Sequence, residues 1–193
     1  MKKFLALAAT IVMCAGILLA AYSDDKPVPQ FTANNELVRP QNYREWIFLS
    51  AGYGMNYNAS MGDHQMFTNV FVPQWAYKEF MNSGKWPDKT TFVVEERMSQ
   101  SKGSINKVGN FQVDSMGMGV EVKDSRLPDT WAYYNFDENT KSAASNPKEG
   151  CFQCHENHAA VEHSFVQFYP TLKPVAKKFG TYRQEREKVD GAK

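Results

Sequence analysis

A mainly antiparallel β-sheet carrying a few short helices, hence an α+β class, follows from three observations. Runs of β-branched and aromatic residues recur at short intervals between turns rich in proline and glycine, the pattern of strands that pair with their sequence neighbours. Apolar residues at helical spacing are confined to brief segments. The 193-residue chain, once its apolar N-terminal stretch is set aside, has the size of one domain with one core.

That N-terminal stretch opens with Met1-Lys2-Lys3, continues as an apolar run from Phe4 to Ala21, and ends in Ala21-Tyr22-Ser23 before Asp24-Asp25. A positive start, an apolar middle and small residues at the end make residues 1–23 a secretory signal peptide, cleaved near Ser23, so that the mature chain is expected to be exported. A retained membrane anchor is the competing reading, because the run approaches the length that spans a bilayer. Cys14 lies inside this segment. Two of the 22 basic residues, Lys2 and Lys3, leave with it, so 20 face 21 acidic ones and the mature charge is about −1. A chain so balanced has no bulk attraction for nucleic acid, and none is expected as a partner.

Residues 24–37 form a polar, proline-bearing lead-in, 38–180 the folded domain and 181–193 a charged, solvated tail. Within the domain, Arg39-Pro40-Gln41-Asn42 is expected to open a helix with Tyr43, Trp46 and Ile47 on one face. A long loop through Asp63 follows, then a strand from His64 to Val72. Pro73 starts a short amphipathic helix, with Trp75, Tyr77, Phe80 and Met81, that Gly84 closes. After the turn Trp86-Pro87-Asp88-Lys89, Thr90 to Arg97 reads as a strand with Phe92 and Val94 on one face and Val93 on the other. Phe111 to Val113 and Met116 to Lys123 make one broken strand or two short ones, with Gly117 and Gly119 where a large neighbour approaches. Trp131 to Phe136 is the last strand. Lys141 to Gly150 is a polar loop, and Ala159 to Phe168 has apolar residues at helical spacing.

The chemistry concentrates in Cys151-Phe152-Gln153-Cys154-His155. Two thiols two residues apart can reach two vinyl groups on one porphyrin edge, and the next residue then supplies an imidazole to the iron, so the run reads as a covalent attachment site for one haem c. A redox dithiol, or a zinc site made by Cys151, Cys154, His158 and His163, are the other readings of these residues. Zinc fingers separate their ligand pairs by a dozen or so residues, whereas His155 adjoins Cys154. With Cys14 gone, no second cysteine pair remains for a disulfide.

A sixth iron ligand has candidates in His64, Met55, Met66, Met116 and Met118, although methionines are more often core filler. His158 and His163 could orient His155, but surface or helix-capping roles are the simpler assignment. Lys123 and Arg126 could meet haem propionates, or simply end a solvated strand.

The domain resembles the cytochrome P-460 family, which includes the cytochromes c′-beta. The resemblance runs through Arg39-Pro40, Tyr43-Arg44-Glu45-Trp46, Val70-Phe71-Val72, Ala76-Tyr77 and Gly84-x-Trp86-Pro87-Asp88. It continues with Val122-Lys123-Asp124, Trp131-Ala132-Tyr133, the haem motif and Phe165-Val166-Gln167-Phe168-Tyr169-Pro170-x-Leu172. It implies a small, usually dimeric, periplasmic mono-haem cytochrome on a curved antiparallel sheet. The haem would be five-coordinate, with His155 as metal ligand and the opposite face open to a small diatomic or nitrogenous ligand. A redox partner protein is implied but not identified.

The departures from the family narrow this further. Hydroxylamine-oxidising members carry a lysine cross-linked to the porphyrin, an arginine and a glutamate; the matching positions hold Val94, Thr68 and Gly119. With Phe92 on the face of Val94, the distal wall formed by Phe92, Val94, Thr68 and Gly119 is expected to be apolar, as in the cytochrome c′-beta members. Such a wall suits nitric oxide or carbon monoxide. The family's other activity, oxidation of hydroxylamine or nitric oxide, is the alternative, and six-coordinate electron transfer is a third. A cross-link from Lys85 or Lys89 would require a register slip.

Overall fold

The computed structural model describes residues 26–55 and 65–187. The expected signal peptide, His64 and the last six residues of the charged tail lie outside the described residues. In chain order the elements are β1 (Leu37–Val38), a 3-10 turn (Tyr43–Glu45), β2 (Ile47–Tyr53), β3 (Met66–Val72), α1 (Gln74–Ser83), β4 (Thr91–Gln100), β5 (Phe111–Lys123), β6 (Trp131–Phe136) and β7 (Ser142–Ala143). A wide helical turn at Lys148–Phe152 runs into α2 (Gln153–His158), followed by a 3-10 turn (Val166–Phe168), α3 (Lys173–Lys178) and a last 3-10 turn (Gln184–Glu187).

Strands β2 to β6 form a five-stranded sheet in sequence order, and every adjacent pair is antiparallel. The α+β class expected from the sequence is therefore the one found. Alternation sorts the side chains: Phe92, Val94 and Glu96 of β4 lie on one face, Val93, Glu95 and Arg97 on the other. Val94 is the register partner of Val70 on β3 and of Gly119 on β5. One face packs Phe92, Trp131 and Tyr133 against α1, α3 and the segment from Ala159 to Leu172; the other packs Val93, Val120, Val122 and Tyr134 under Phe31, Leu37, Tyr43 and Trp46. Bulges interrupt the ladder at Phe48/Ser50 and between Glu96 and Ser99, and bulges bend the strands that carry them.

Two glycines have identifiable tasks. Gly84 ends α1 in the left-handed region at φ 68°, and a methyl there would lie 2.7 Å from Phe179 Cβ, so it lets the chain beyond α3 pack closely. Gly117, at φ 131°, would place a methyl 2.7 Å from the Phe136 carbonyl oxygen. The large neighbour expected there is the backbone of β6.

Three expectations change. The Tyr43–Ile47 helix is one 3-10 turn: Asn42 sits in the left-handed region and Trp46 is extended, after which Ile47 begins a strand rather than a loop. The expected break in β5 is absent, since Phe111–Lys123 is one strand. The Ala159–Phe168 helix is replaced by a tight turn, closed by a Val161–Ser164 bridge around a left-handed Glu162, with helical geometry only from Val166. In addition, the start of the charged tail is anchored: Tyr182 is buried and Arg183 donates to the carbonyls of Ala159 and Glu162. Among the described residues no helix is long and apolar enough to cross a membrane.

Candidate haem site

A cavity of about 490 Å³ opens between the α1-bearing face of the sheet and the segment that carries the C-x-x-C-H run. Its sheet wall comprises Ser50, Thr68, Val70, Val94, Glu96 and Glu121, and its opposite wall Cys151, Cys154, His155, Phe165, Phe168 and Tyr169. The volume falls within the roughly 300–1,000 Å³ usual for cofactor and small-molecule sites.

Local geometry delivers the motif to this cavity. Gly150, at φ −108° and ψ −105°, breaks the helical path just before Cys151, and the chain then continues into α2. Cys151, Cys154 and His155 stand at i, i+3 and i+4, which brings all three to one side of a helical turn. Both thiols are half-buried and neither is in a disulfide. Burial, and then the neighbouring Cys151, push the Cys154 thiol up in pKa.

His155 is held by its rear nitrogen. Nδ1 lies 2.7 Å from the His163 carbonyl oxygen, and because a carbonyl can only accept, the proton sits on Nδ1. Its ring is flanked by Tyr133 and Phe165, each with a centroid separation of 4.4 Å. Nε2 faces the sheet, 3.6 Å from Glu121 Oε1.

Glu121 is the unusual member of the wall. It is 7 % exposed, and its Oε2 has no hydrogen-bond partner among the described residues. Burial raises its pKa, with the charge of His155 acting in the opposite direction. Burial also raises that of Glu96. Behind the motif, burial, with the charges of His155 and Arg183 adding to it, lowers the His163 ring to about 4. The Tyr133 hydroxyl is held well above the usual phenol range, first by burial and then by the charge of Glu121.

The cavity gathers some of the residues singled out in the sequence and not others. Cys151, Cys154, His155, Thr68 and Val94 line it, as do Met55 and Met66. Phe92 does not: it is fully buried in the core, edge-on to Trp86 at 4.7 Å and stacked toward Trp131 at 6.3 Å. Gly119 shares the face of Glu121 but is not part of the lining, and its nearest outside neighbour is Val94. The wholly apolar wall expected around Phe92 is thus replaced by one that carries two carboxylates. Neither Lys85 nor Lys89 reaches the cavity, and Lys89 pairs with Asp124. Met118 belongs to the opposite core and Met116 is exposed. Arg126 holds Asp124, while Lys123 donates to Glu162 and to the Trp86 carbonyl.

Glu96 and Glu121 belong to the site although the sequence reading does not single them out. Glu121 could have been found, because a carboxylate between Val120 and Val122 in a strand buried on both faces is out of place. Of the two roles open to His163, the surface one gives way to the orienting one: its ring lies against Phe152 at 4.6 Å and its carbonyl holds His155. Among the described residues no group of three or more His, Cys, Asp and Glu could hold a metal ion, so Cys151, Cys154, His158 and His163 do not form a zinc cluster.

The donor set fits the haem read from the sequence. Two thiols and an imidazole whose rear nitrogen alone is engaged by a carbonyl border one cavity, and the half-apolar wall opposite them includes Glu121. A search of curated proteins returned no match. The model of the family described as Cytochrome P460 matches residues 40–166, and the chain therefore belongs to that family, whose members are haem proteins.

Proposed function

We propose that the chain is an exported c-type cytochrome whose cavity binds nitric oxide or a similarly small neutral ligand. Cys151 and Cys154 would hold one haem per chain through thioether bonds, and His155 Nε2 would be the iron ligand. The bound haem supplies an iron centre that can take a diatomic ligand and change oxidation state. The single observation that carries the reading is the lining itself: mostly apolar, with no lysine among the described residues that form it and so none beside Val94 to bridge to a porphyrin. Val70, Val94, Met55 and Phe168 disfavour charged, strongly hydrated ligands, which would lose their water on entering. Periplasmic location, a homodimer and an electron partner belong to the same proposal; the first is supported by the apolar run from Phe4 to Ala21.

A second reading is favoured by Glu121. A carboxylate that lines the cavity, with its pKa raised by burial, can accept a proton from a nitrogenous substrate, which is what oxidation of hydroxylamine requires. Glu121 would then be the base and Glu96 a second carboxylate within the same cavity.

The optical spectrum of the reduced, ligand-free protein separates the readings. A broad high-spin band with an intact mass of mature chain plus one haem is expected. A sharp split visible band would mean that a protein group such as Met55 or Met66 occupies the sixth position and would overturn the ligand-binding proposal. A strongly red-shifted Soret band would mean a cross-linked porphyrin. Steady consumption of hydroxylamine, abolished by Glu121→Gln, would promote the second reading over the first.

A further inference from the structure

Three sequence motifs stand outside the cavity wall: Trp86-Pro87-Asp88, Val122-Lys123-Asp124 and Trp131-Ala132-Tyr133. They converge on one turn behind His155. The turn, Val161 to Ser164, is closed by backbone hydrogen bonds of 2.8 and 3.3 Å between its end residues, with Glu162 in the left-handed region.

Each motif touches that turn differently. The Trp86 indole N–H donates to Ser164 Oγ at 2.6 Å, and the same hydroxyl donates to the Val161 carbonyl at 2.8 Å. Lys123 Nζ donates to Glu162 Oε2 at 2.6 Å and to the Trp86 carbonyl at 2.7 Å, joining turn and strand. The His163 ring stacks on Trp131 at 5.6 Å, and its Nδ1 lies 3.3 Å from the Tyr133 hydroxyl. Arg183 caps the Glu162 carbonyl from the opposite side. The product of all this is the position of one oxygen, the His163 carbonyl, 2.7 Å from His155 Nδ1.

We infer that the Val161–Ser164 turn is a clamp that fixes the tautomer and orientation of His155 as an iron ligand, with His163 as the positioning residue. The inference rests on the haem reading proposed above. An imidazole that gives its rear N–H to a rigid carbonyl keeps Nε2 deprotonated, aimed and more basic, and loss of such a partner typically weakens the metal bond 10–100-fold. A loose turn would let the carbonyl drift and the ring rotate. That is why a half-buried lysine, an indole and a guanidinium converge on four residues that stand outside the cavity lining.

The test uses holoprotein matured with haem and four variants: Lys123→Met, Trp86→Phe, His163→Gly and, as a control on the exposed face of α3, Lys177→Met. The iron–imidazole stretching band of the reduced protein, read by resonance Raman, should move to lower wavenumber in the first three and stay put in the control. Under saturating nitric oxide, loss of His155 from the iron should accelerate roughly 10–100-fold in the same three. Lys123→Arg, which retains a donor toward Glu162, should restore the band. If Lys123→Met and His163→Gly carry covalent haem with the wild-type band and rate, the clamp is overturned and the proposed function stands. If the unaltered chain takes up no covalent haem, the reading beneath it fails, and the clamp with it.

Discussion

Glu95 and Glu121 are buried alike, at 3 % and 7 % exposure, on neighbouring strands of one sheet, yet on opposite faces they are opposite kinds of carboxylate. Glu95 accepts from the Tyr43 hydroxyl at 2.8 Å, from Asn69 and Arg97 at 3.2 Å each, and from Arg44. Burial alone would push its pKa up; the hydrogen bonds from Tyr43, Arg44 and Asn69 outweigh that and hold it below the ordinary carboxylate range. Among the described residues Glu121 has a charged partner in His155, and one of its oxygens has no hydrogen-bond partner. Where a charge serves the fold, the surrounding sequence supplies donors for it. Where a carboxylate borders a cavity and the fold supplies few donors, a group that enters meets a carboxyl whose charge the fold has not answered.

Removing Glu95 should do the most damage. Glu95→Ala takes the carboxylate from the Arg97 guanidinium, which is three-quarters buried and keeps the Val113 carbonyl, and from Asn69, which keeps Gln112. Loss of one partner from such a network costs about 3 kcal/mol. For a domain of this size that is a fall in Tm of roughly 6–12 °C. Thermal unfolding of the variant checks it; a fall of only a degree or two would mean that the network is ornamental.

The mirror experiment should raise stability. Glu121→Leu replaces an unsatisfied buried carboxyl with an apolar group of similar size and is expected to add about 1–2 kcal/mol, while removing the carboxylate that faces His155 Nε2. Chemical denaturation of holoprotein measures the first effect and hydroxylamine consumption the second. A destabilised Glu121→Leu would show that the carboxylate is structurally paired after all, and the contrast with Glu95 would collapse.

Acid should then tell the two faces apart. A carboxyl whose folded pKa is depressed stabilises the fold at every pH above its unfolded value, about 4.3, and loses that contribution as pH falls through the folded value. The stability gap between wild type and Glu95→Gln should therefore be constant from pH 7 to about 5 and shrink below that. A gap that widened on acidification would reverse the sign assigned to Glu95.

How much of this could be read in the chain is itself uneven between the two faces. The sheet was legible because alternation survives in β3, β4 and β6, and the attachment site because its three donors are contiguous. Helical spacing misled at Tyr43–Ile47 and Ala159–Phe168, where Asn42 and Glu162 adopt left-handed backbone that composition does not advertise. Phe92 was placed on the correct strand face but too near the cavity, because period two assigns a side without saying what covers it; Trp86, Trp131 and the 159–172 segment do. Glu121 sat two residues from the glycine that family likeness pointed to. Aligning motifs located Gly119, while only the pleat, with Val120 and Val122 turned to the opposite core, shows that the next side chain on that face is a carboxylate.

The smallest expected effect is also the sharpest test of why Glu95 is quiet. Tyr43→Phe keeps the ring that packs edge-on to Phe71 at 5.6 Å and removes only the hydroxyl that donates to Glu95. Three other donors remain, and one neutral hydrogen bond is worth about 1 kcal/mol, so Tm should fall by roughly 2–4 °C. Combined with Glu95→Gln, the tyrosine change should cost distinctly less than it does alone, because a bond to an ionised acceptor is stronger than one to a neutral amide. Additive costs in that double-mutant cycle would mean that the hydroxyl stabilises the fold through packing, and that Glu95 owes its low pKa to Arg44 and Asn69 without it.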